Sequence, residues 1–369
     1  MLMFRHLKGL APEHSIFVIA EDSSKTRHLN ILQKNFLTTD TSKKLLRRVL
    51  FKLRAERLWF LLRAKEIERK ISAKVREIKP DVILTVWHGP HLFSAVSISK
   101  KSRIPLVVLV HDDWEKMLPD RGWGRETLYR ELRQIYHNAK EVGFISTQLG
   151  EEFQRRYGTR SWETILPIPE EQSFDPASSG RPQEPLRIGY FGDLLGNIKV
   201  LEKVSEVLER CGARLTFFSH GESPERQALR GRRHVRDAGH ADIRDLAEFF
   251  TGNIDVTLIA QSFMARHENL VRTCFPSKLP EACQFGLPLC VVAPSYGSAT
   301  GWAKENLPSF CLCTDLEKNR IAECIQQLKD KKRWAQAQQA VLTGRKDFSP
   351  KRIQEQLEKL LDKAVKKSR

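Results

Sequence analysis

Between Phe275 and Pro288 the sequence reads FPSKLPEACQFGLP, and the residue types in it can do chemistry together. A helix starting at Ser277 and Lys278 would point free backbone N–H groups and the positive end of its dipole at an anion. Lys278 would add a full charge, and phosphate suits such a place. Routine capping is the commoner explanation of the same residues. Ser277 is a good N-cap, Pro280 is tolerated in a first turn, and Gly286 suits the residue beyond the last turn. Glu281 would stabilise the same helix end, or accept a hydrogen bond from a sugar hydroxyl. A second set of chemistry-bearing residues follows apolar runs: His111 directly after PLVVLV, and His88 and His91 in WHGPH after DVILTV. These lie at the carboxyl ends of expected strands, where open α/β sheets bind ligands. Asp112 and Asp113 would orient His111 or an acceptor, or serve only as loop carboxylates or helix caps. Gly239 and His240 in DAGHADI fall in a turn before a helix N-cap.

The elements that must position these residues alternate along the chain. HSIFVIA, DVILTV, PLVVLV and VGFIS read as buried parallel strands. After SFDPASSGRPQEP the pattern resumes with LRIGYFG, RLTFFS, DVTLIA and PLCVVA. Helical patterns such as GNIKVLEKVSEVLERCG and DIRDLAEFFTG lie between them, and SKLPEACQF is a crossover helix. Two βα series predict an α/β protein of two Rossmann-like, doubly wound domains facing across a ligand-binding cleft. The expected boundaries are an N-terminal domain over 1–170, a linker over 171–185, a C-terminal domain over 186–347 and a closing helix over 348–369.

Length and composition agree. The 369 residues exceed one ordinary core, and 41% hydrophobic with 8% aromatic residues describes a globular chain. Seven cysteines without CxxC pairs argue against a zinc site or a disulfide framework. No apolar run reaches a membrane span and no signal peptide is evident, so a cytoplasmic protein is expected. The formal charge is +17, and it is concentrated. Residues 43–79 hold 14 Lys/Arg against 4 Asp/Glu, and 328–369 hold 13 against 5. No stacking aromatic platform is interleaved with that charge, which disfavours nucleic acid as a partner. The stretch KKLLRRVLFKLRAERLWFLLRAKEIERKISAKVREIK places Leu46, Leu50, Leu53, Phe60 and Leu61 near one face. It would meet an anionic membrane surface or a lipid-linked acceptor, or pack its apolar stripe on the sheet.

FPSKLPEACQFGLPLCVVAP, with LRIGYFGDLLGNIKVLEKV some eighty residues earlier, resembles the nucleotide-sugar domain of GT-B glycosyltransferases, most closely glycosyltransferase family four. PDVILTVWHG, IPLVVLVHDDW, FISTQLGEEFQRRYG and ILPIPEE extend the resemblance. DFSPKRIQEQLEKLL resembles the helix that such proteins return toward the N-terminal domain. The resemblance implies sugar transfer from a nucleotide-diphosphate sugar to a sugar or lipid-linked hydroxyl acceptor. It also implies retention of configuration, no metal, and a place in polysaccharide or glycoconjugate synthesis. Carried over by position, His111 would meet the transferred sugar and Lys199 the diphosphate. Gly192 would let backbone approach the donor, Ser277 and Lys278 would meet phosphate, and Glu281 the ribose. Gly239 and His240 would lie by the base, and His88, His91 and Asp112 on the acceptor side. Two departures are visible. Asp193 stands where the family has an Arg, and Thr273 stands where the first glutamate of E-x7-E belongs. They leave open a non-catalytic nucleotide-sugar-binding or scaffold protein. FRHLKGLAPEHSIFVIAED reads as the first helix and second strand of the fold. An N-terminal domain lacking its first strand, or translation beginning upstream, is therefore expected.

Overall fold

The computed structural model describes residues 5–7, 10, 15–20, 36–38, 50–117, 124–170, 182–194 and 196–367. The chain forms two compact units, Met1–Leu166 with Lys351–Arg369, and Pro167–Pro350. The expected linker lies mostly outside the described residues, as do Leu46 and the segment before Arg5.

In the first unit β1 (Val18–Ala20) pairs in parallel with β2 (Phe36–Thr38). A separate parallel sheet runs β3 (Ile83–Val86), β4 (Leu106–Val110), β5 (Glu141–Phe144) and β6 (Glu163–Thr164) in that order. Every residue of β4 is buried, as expected of an unbroken apolar run between two neighbours. The helix Glu56–Ile78 packs Trp59, Phe60, Ala64, Ile67 and Ile71 inward. The basic stretch is not one helix. Arg54 adopts a left-handed backbone (φ 53°) and Ala55 N–H returns to the Leu50 carbonyl (2.8 Å). That break takes Leu50 and Leu53 out of register with Phe60, and Leu53 is left exposed. The closing helix Pro350–Lys366 buries Ile353, Leu357, Leu360 and Ala364, one stripe at helical spacing. Leu360 packs over Gly143 of β5, where an added Cβ would lie 3.2 Å from it, and Lys367 pairs with buried Glu141 at 2.6 Å.

The second unit is one six-stranded parallel sheet. Its strands are β7 (Leu186–Phe191), β8 (Ala213–Phe218), β9 (Val235–Asp237), β10 (Val256–Ala260), β11 (Leu289–Val292) and β12 (Leu312–Cys313). Their spatial order is β12-β11-β10-β7-β8-β9. The chain winds outward from β7 through β8 and β9, then returns beside β7 with β10 and winds the other way. The reversal between β7 and β10 is the topological switch point, where such sheets bind ligands. The helix expected over GNIKVLEKVSEVLERCG spans only Ile198–Ser205. Beyond it Val207 N–H bonds the Val204 carbonyl at 3.1 Å, a tighter turn that still buries Val207 and Leu208. The short strands β2, β6, β9 and β12 have no sequence signal comparable to the β-branched runs.

Candidate functional site

At the switch point β7 is followed by Gly192, whose φ of 123° is open chiefly to glycine. The Lys278 side chain lies across it: a Cβ on residue 192 would come within 1.8 Å of Lys278 Nζ and Cε. The ammonium sits 5.4 Å from the ring centre of Tyr190, which is itself buried and donates its hydroxyl to the Asp193 carbonyl at 2.6 Å. Lys278 makes no hydrogen bond or ion pair among the described residues. Burial pushes its pKa down to about 8, opposed by the carboxylate of Asp193. A cation poised at a glycine, with no acceptor among the described residues, is the arrangement an oxyanion would complete.

Ser277 does not cap the helix. Its backbone is already helical (φ −58°, ψ −20°) and its hydroxyl makes no capping bond, because the turn begins at Pro276, whose carbonyl accepts from Leu279 N–H at 3.0 Å. The helix Lys278–Gln284 is two turns long, so the charge at this place belongs chiefly to Lys278. Gly286 takes the expected left-handed conformation (φ 68°). Glu281 is 7% exposed and its two oxygens accept from Glu170 N–H at 3.3 and 3.2 Å. It therefore secures the chain entering the second unit as well as the first turn of its own helix. Thr273, at the position of the missing glutamate, is fully buried and donates its hydroxyl to the Asn269 carbonyl at 2.7 Å. Lys199 is exposed in the first turn of Ile198–Ser205 and forms no ion pair among the described residues.

The loop after β9 is fixed by charge. Asp237 accepts from Arg226 at 2.6 and 2.7 Å, from Arg230 at 2.6 Å and from Gly239 N–H at 2.9 Å. These bonds, the Arg226 fork first, hold its carboxyl down to about 2. Gly239 uses a left-handed backbone (φ 87°), and His240 meets the edge of His220 with ring centres 4.8 Å apart. His220 and Tyr190 escaped sequence reasoning, although both stand within two residues of a strand end.

In the first unit His111 follows β4 and is half-buried. Its ring lies 6.2 Å from that of His6 at 26°. Loss of solvent lowers the His111 pKa, opposed by exposed Asp112, and lowers that of fully buried His6 to about 3. Both rings are therefore neutral at physiological pH, able to donate and accept hydrogen bonds. His88 occupies the N-cap position of the helix Gly89–Ser102 without a capping bond, and its ring meets Trp114 at 5.6 Å. His91 lies in the first turn, half-buried, its carbonyl accepting from Ser94 at 2.9 Å. The structure thus gathers His88, His111 and Asp112 on adjoining loops of one unit. In the other it gathers Gly192, Lys278 and Glu281, with Gly239 and His240 on the loop after β9. Among the described residues no three His, Cys, Asp or Glu side chains come together as a metal site, and no helix is long and apolar enough to cross a membrane.

Residues 3–167 match the family Glycosyltransferase Family 4. No match was found among curated protein sequences. A Rickettsia africae glycosyltransferase structure superposes with a TM-score of 0.72 at 13% identity, covering 98% of this chain and 94% of that one. Anabaena HepE, solved with UDP and glucose, gives 0.63 at 18% identity and covers 97% and 95%. Staphylococcus aureus TarM gives 0.58 at 12% identity over 80% of this chain, which spans 58% of the TarM chain. The chain has the α/β fold of GT-B glycosyltransferases and resembles their family four.

Proposed function

We propose that the chain is a glycosyltransferase, moving a sugar from a nucleoside-diphosphate sugar to a hydroxyl acceptor with retention of configuration and no metal. The observation that carries this reading is Lys278, a half-buried ammonium laid over Gly192 at the β7–β10 switch point with no hydrogen-bond acceptor among the described residues. Sugar transfer places negative charge on the departing diphosphate, and a preorganised cation at that spot lowers the barrier by stabilising charge as it develops. Lys278 takes the part that the family gives to the Arg replaced by Asp193, with Lys199 as the second cation. Glu281 accepts from a ribose hydroxyl, while Gly239 and His240 meet the base. His111, neutral through burial, holds a hydroxyl of the transferred sugar. His88, His91 and Asp112 serve the acceptor. The acceptor is a sugar or a lipid-linked glycan, in polysaccharide or glycoconjugate synthesis at the cytoplasmic side. Exposed Leu53 and Leu62 within the basic stretch give contact with an anionic membrane.

Since HepE was solved with UDP-glucose, that is the first donor to try. UDP release from a nucleotide-sugar panel, measured with and without sugar and lipid-phosphate acceptors, tests the reading. Acceptor-dependent release supports it. The alternative, a nucleotide-sugar-binding scaffold, is favoured by Thr273, whose hydroxyl is bound within its own helix. Binding without turnover, with turnover gained in Thr273→Glu, would favour that alternative.

A further inference from the structure

The loop that presents His111 continues Asp112-Asp113-Trp114-Glu115, and two of its carboxylates are buried: Asp113 is 3% exposed and Glu115 0%. Buried carboxylates are costly unless each finds donors. One guanidinium serves both. Arg156, from the helix Thr147–Tyr157, forks onto Asp113 with Nη1–Oδ1 2.9 Å and Nη2–Oδ2 2.6 Å. The same Nη1 reaches Glu115 Oε2 at 3.3 Å, and Nη2 reaches Glu152 at 3.0 Å. Glu115 also accepts from Trp87 Nε1 at 2.7 Å and from the Tyr157 hydroxyl, while its carbonyl accepts from Arg125 at 3.0 Å. Trp87 directly precedes His88. The loops after β3 and β4, each carrying a histidine, therefore meet at one buried cluster held by one cation. The guanidinium is seated over the rings of Phe153 and Tyr157, 5.3 and 5.7 Å from their centres, which fixes its plane.

A buried ionic cluster of this kind is a poor source of stability compared with apolar packing, but its fork geometry specifies one arrangement. We infer that Arg156 is a positioning residue: by clamping Asp113 and Glu115 it holds the His111 loop, and through Trp87 the His88 loop, in one orientation toward substrate. The kinetic consequence rests on the reading of the chain as a sugar transferase; the geometric consequence does not.

The test uses full-length protein labelled with 15N-histidine, the His111 ring signals being identified by their loss in His111→Gln. Arg156→Lys keeps the charge and removes the fork. It should shift or broaden the His111 signals and leave those of His240 unchanged. The kcat for transfer should fall about tenfold, with the donor KM changed less than twofold, the pattern of a misplaced group. Should Arg156→Lys not fold, the triple variant Arg156→Met, Asp113→Asn, Glu115→Gln removes cation and anions together and should give the same displaced His111 signals. Unaltered His111 signals and kcat in a folded variant would overturn the inference. If the wild type transfers no sugar, the functional reading fails and the His111 signals alone decide this one.

Discussion

In the second unit the candidate site is built around an ammonium, Lys278, set over Gly192 and the Tyr190 ring. The candidate residues of the first unit are instead centred on two stacked histidines, His6 and His111, that burial keeps uncharged. We propose a phosphate as the ligand of the ammonium and hydroxyl groups as the ligands of the histidines. The contrast shows that net charge is a poor guide to where a cation works. The basic helix of the first unit uses its charge on neighbours: Arg57 with Glu131 at 2.6 Å, Arg63 with Glu66 at 2.5 Å, and Lys74 with Glu77 at 2.5 Å. Lys278, in the less basic part of the chain, has no such partner among the described residues.

If that division of labour holds, changes in the two units should separate transfer from nucleotide binding. His111→Ala should lower transfer by about 100-fold, the range for misplacing the reacting group, while UDP affinity stays within twofold. Kinetics and calorimetry on the same preparation check this; a parallel loss of UDP binding would erase the distinction between the units. Gly192→Ala, whose new methyl would overlap the Lys278 ammonium, should weaken UDP by about 1–3 kcal/mol, the worth of a charge-assisted hydrogen bond, and leave uridine nearly unaffected.

Acid should also distinguish the units. The folded pKa of His6 is about 3, below the ordinary 6.5, so the unfolded chain takes the proton first. The stability tied to this group is present above pH 6.5 and is lost as pH falls toward 3, at about 1.4 kcal/mol per unit. Asp237, held down to about 2 from 3.8, releases its contribution only below pH 3.8. Hydrogen exchange at pH 7 and 5 should therefore show β4 losing protection before β7; the reverse order would contradict the assignment. The smallest effect expected is at the membrane. Vesicles of acidic lipid should sediment the protein weakly and lose it as salt rises, with Leu53→Ser and Leu62→Ser reducing the effect. Sedimentation unaltered by those changes would place the contact elsewhere.

Much of this was legible in the sequence, for physical reasons that differ by element. β4 and β11 announce themselves because strands buried between neighbours are unbroken apolar runs. β9 and β12 do not, because short edge strands carry no such pattern. The place of Gly192 beside the 277–281 segment followed from parallel topology, since both follow strands that flank the reversal. The capping role of Ser277 did not survive, because propensity cannot see that Pro276 has already begun the turn. Glu281 read as a first-turn carboxylate, and its bond to Glu170, 111 residues away, has no sequence signature. The Arg156 clamp was hidden for the same reason: FQRRYG offers two adjacent arginines, and only the fold sends one inward to Asp113 and leaves Arg155 exposed with Glu152.

The central claim, a phosphate site made by Lys278, is tested most directly by calorimetric titration of UDP into wild type and Lys278→Met across pH 6.5 to 10. An anion binds the charged ammonium, so wild-type affinity should be highest below the free-state pKa of about 8 and decline as pH rises beyond it. The variant should bind UDP roughly tenfold or more weakly at pH 6.5, about 1.4 kcal/mol per factor of ten, and lack that pH dependence. Equal affinity in the two proteins, or no UDP binding by the wild type, would contradict the account.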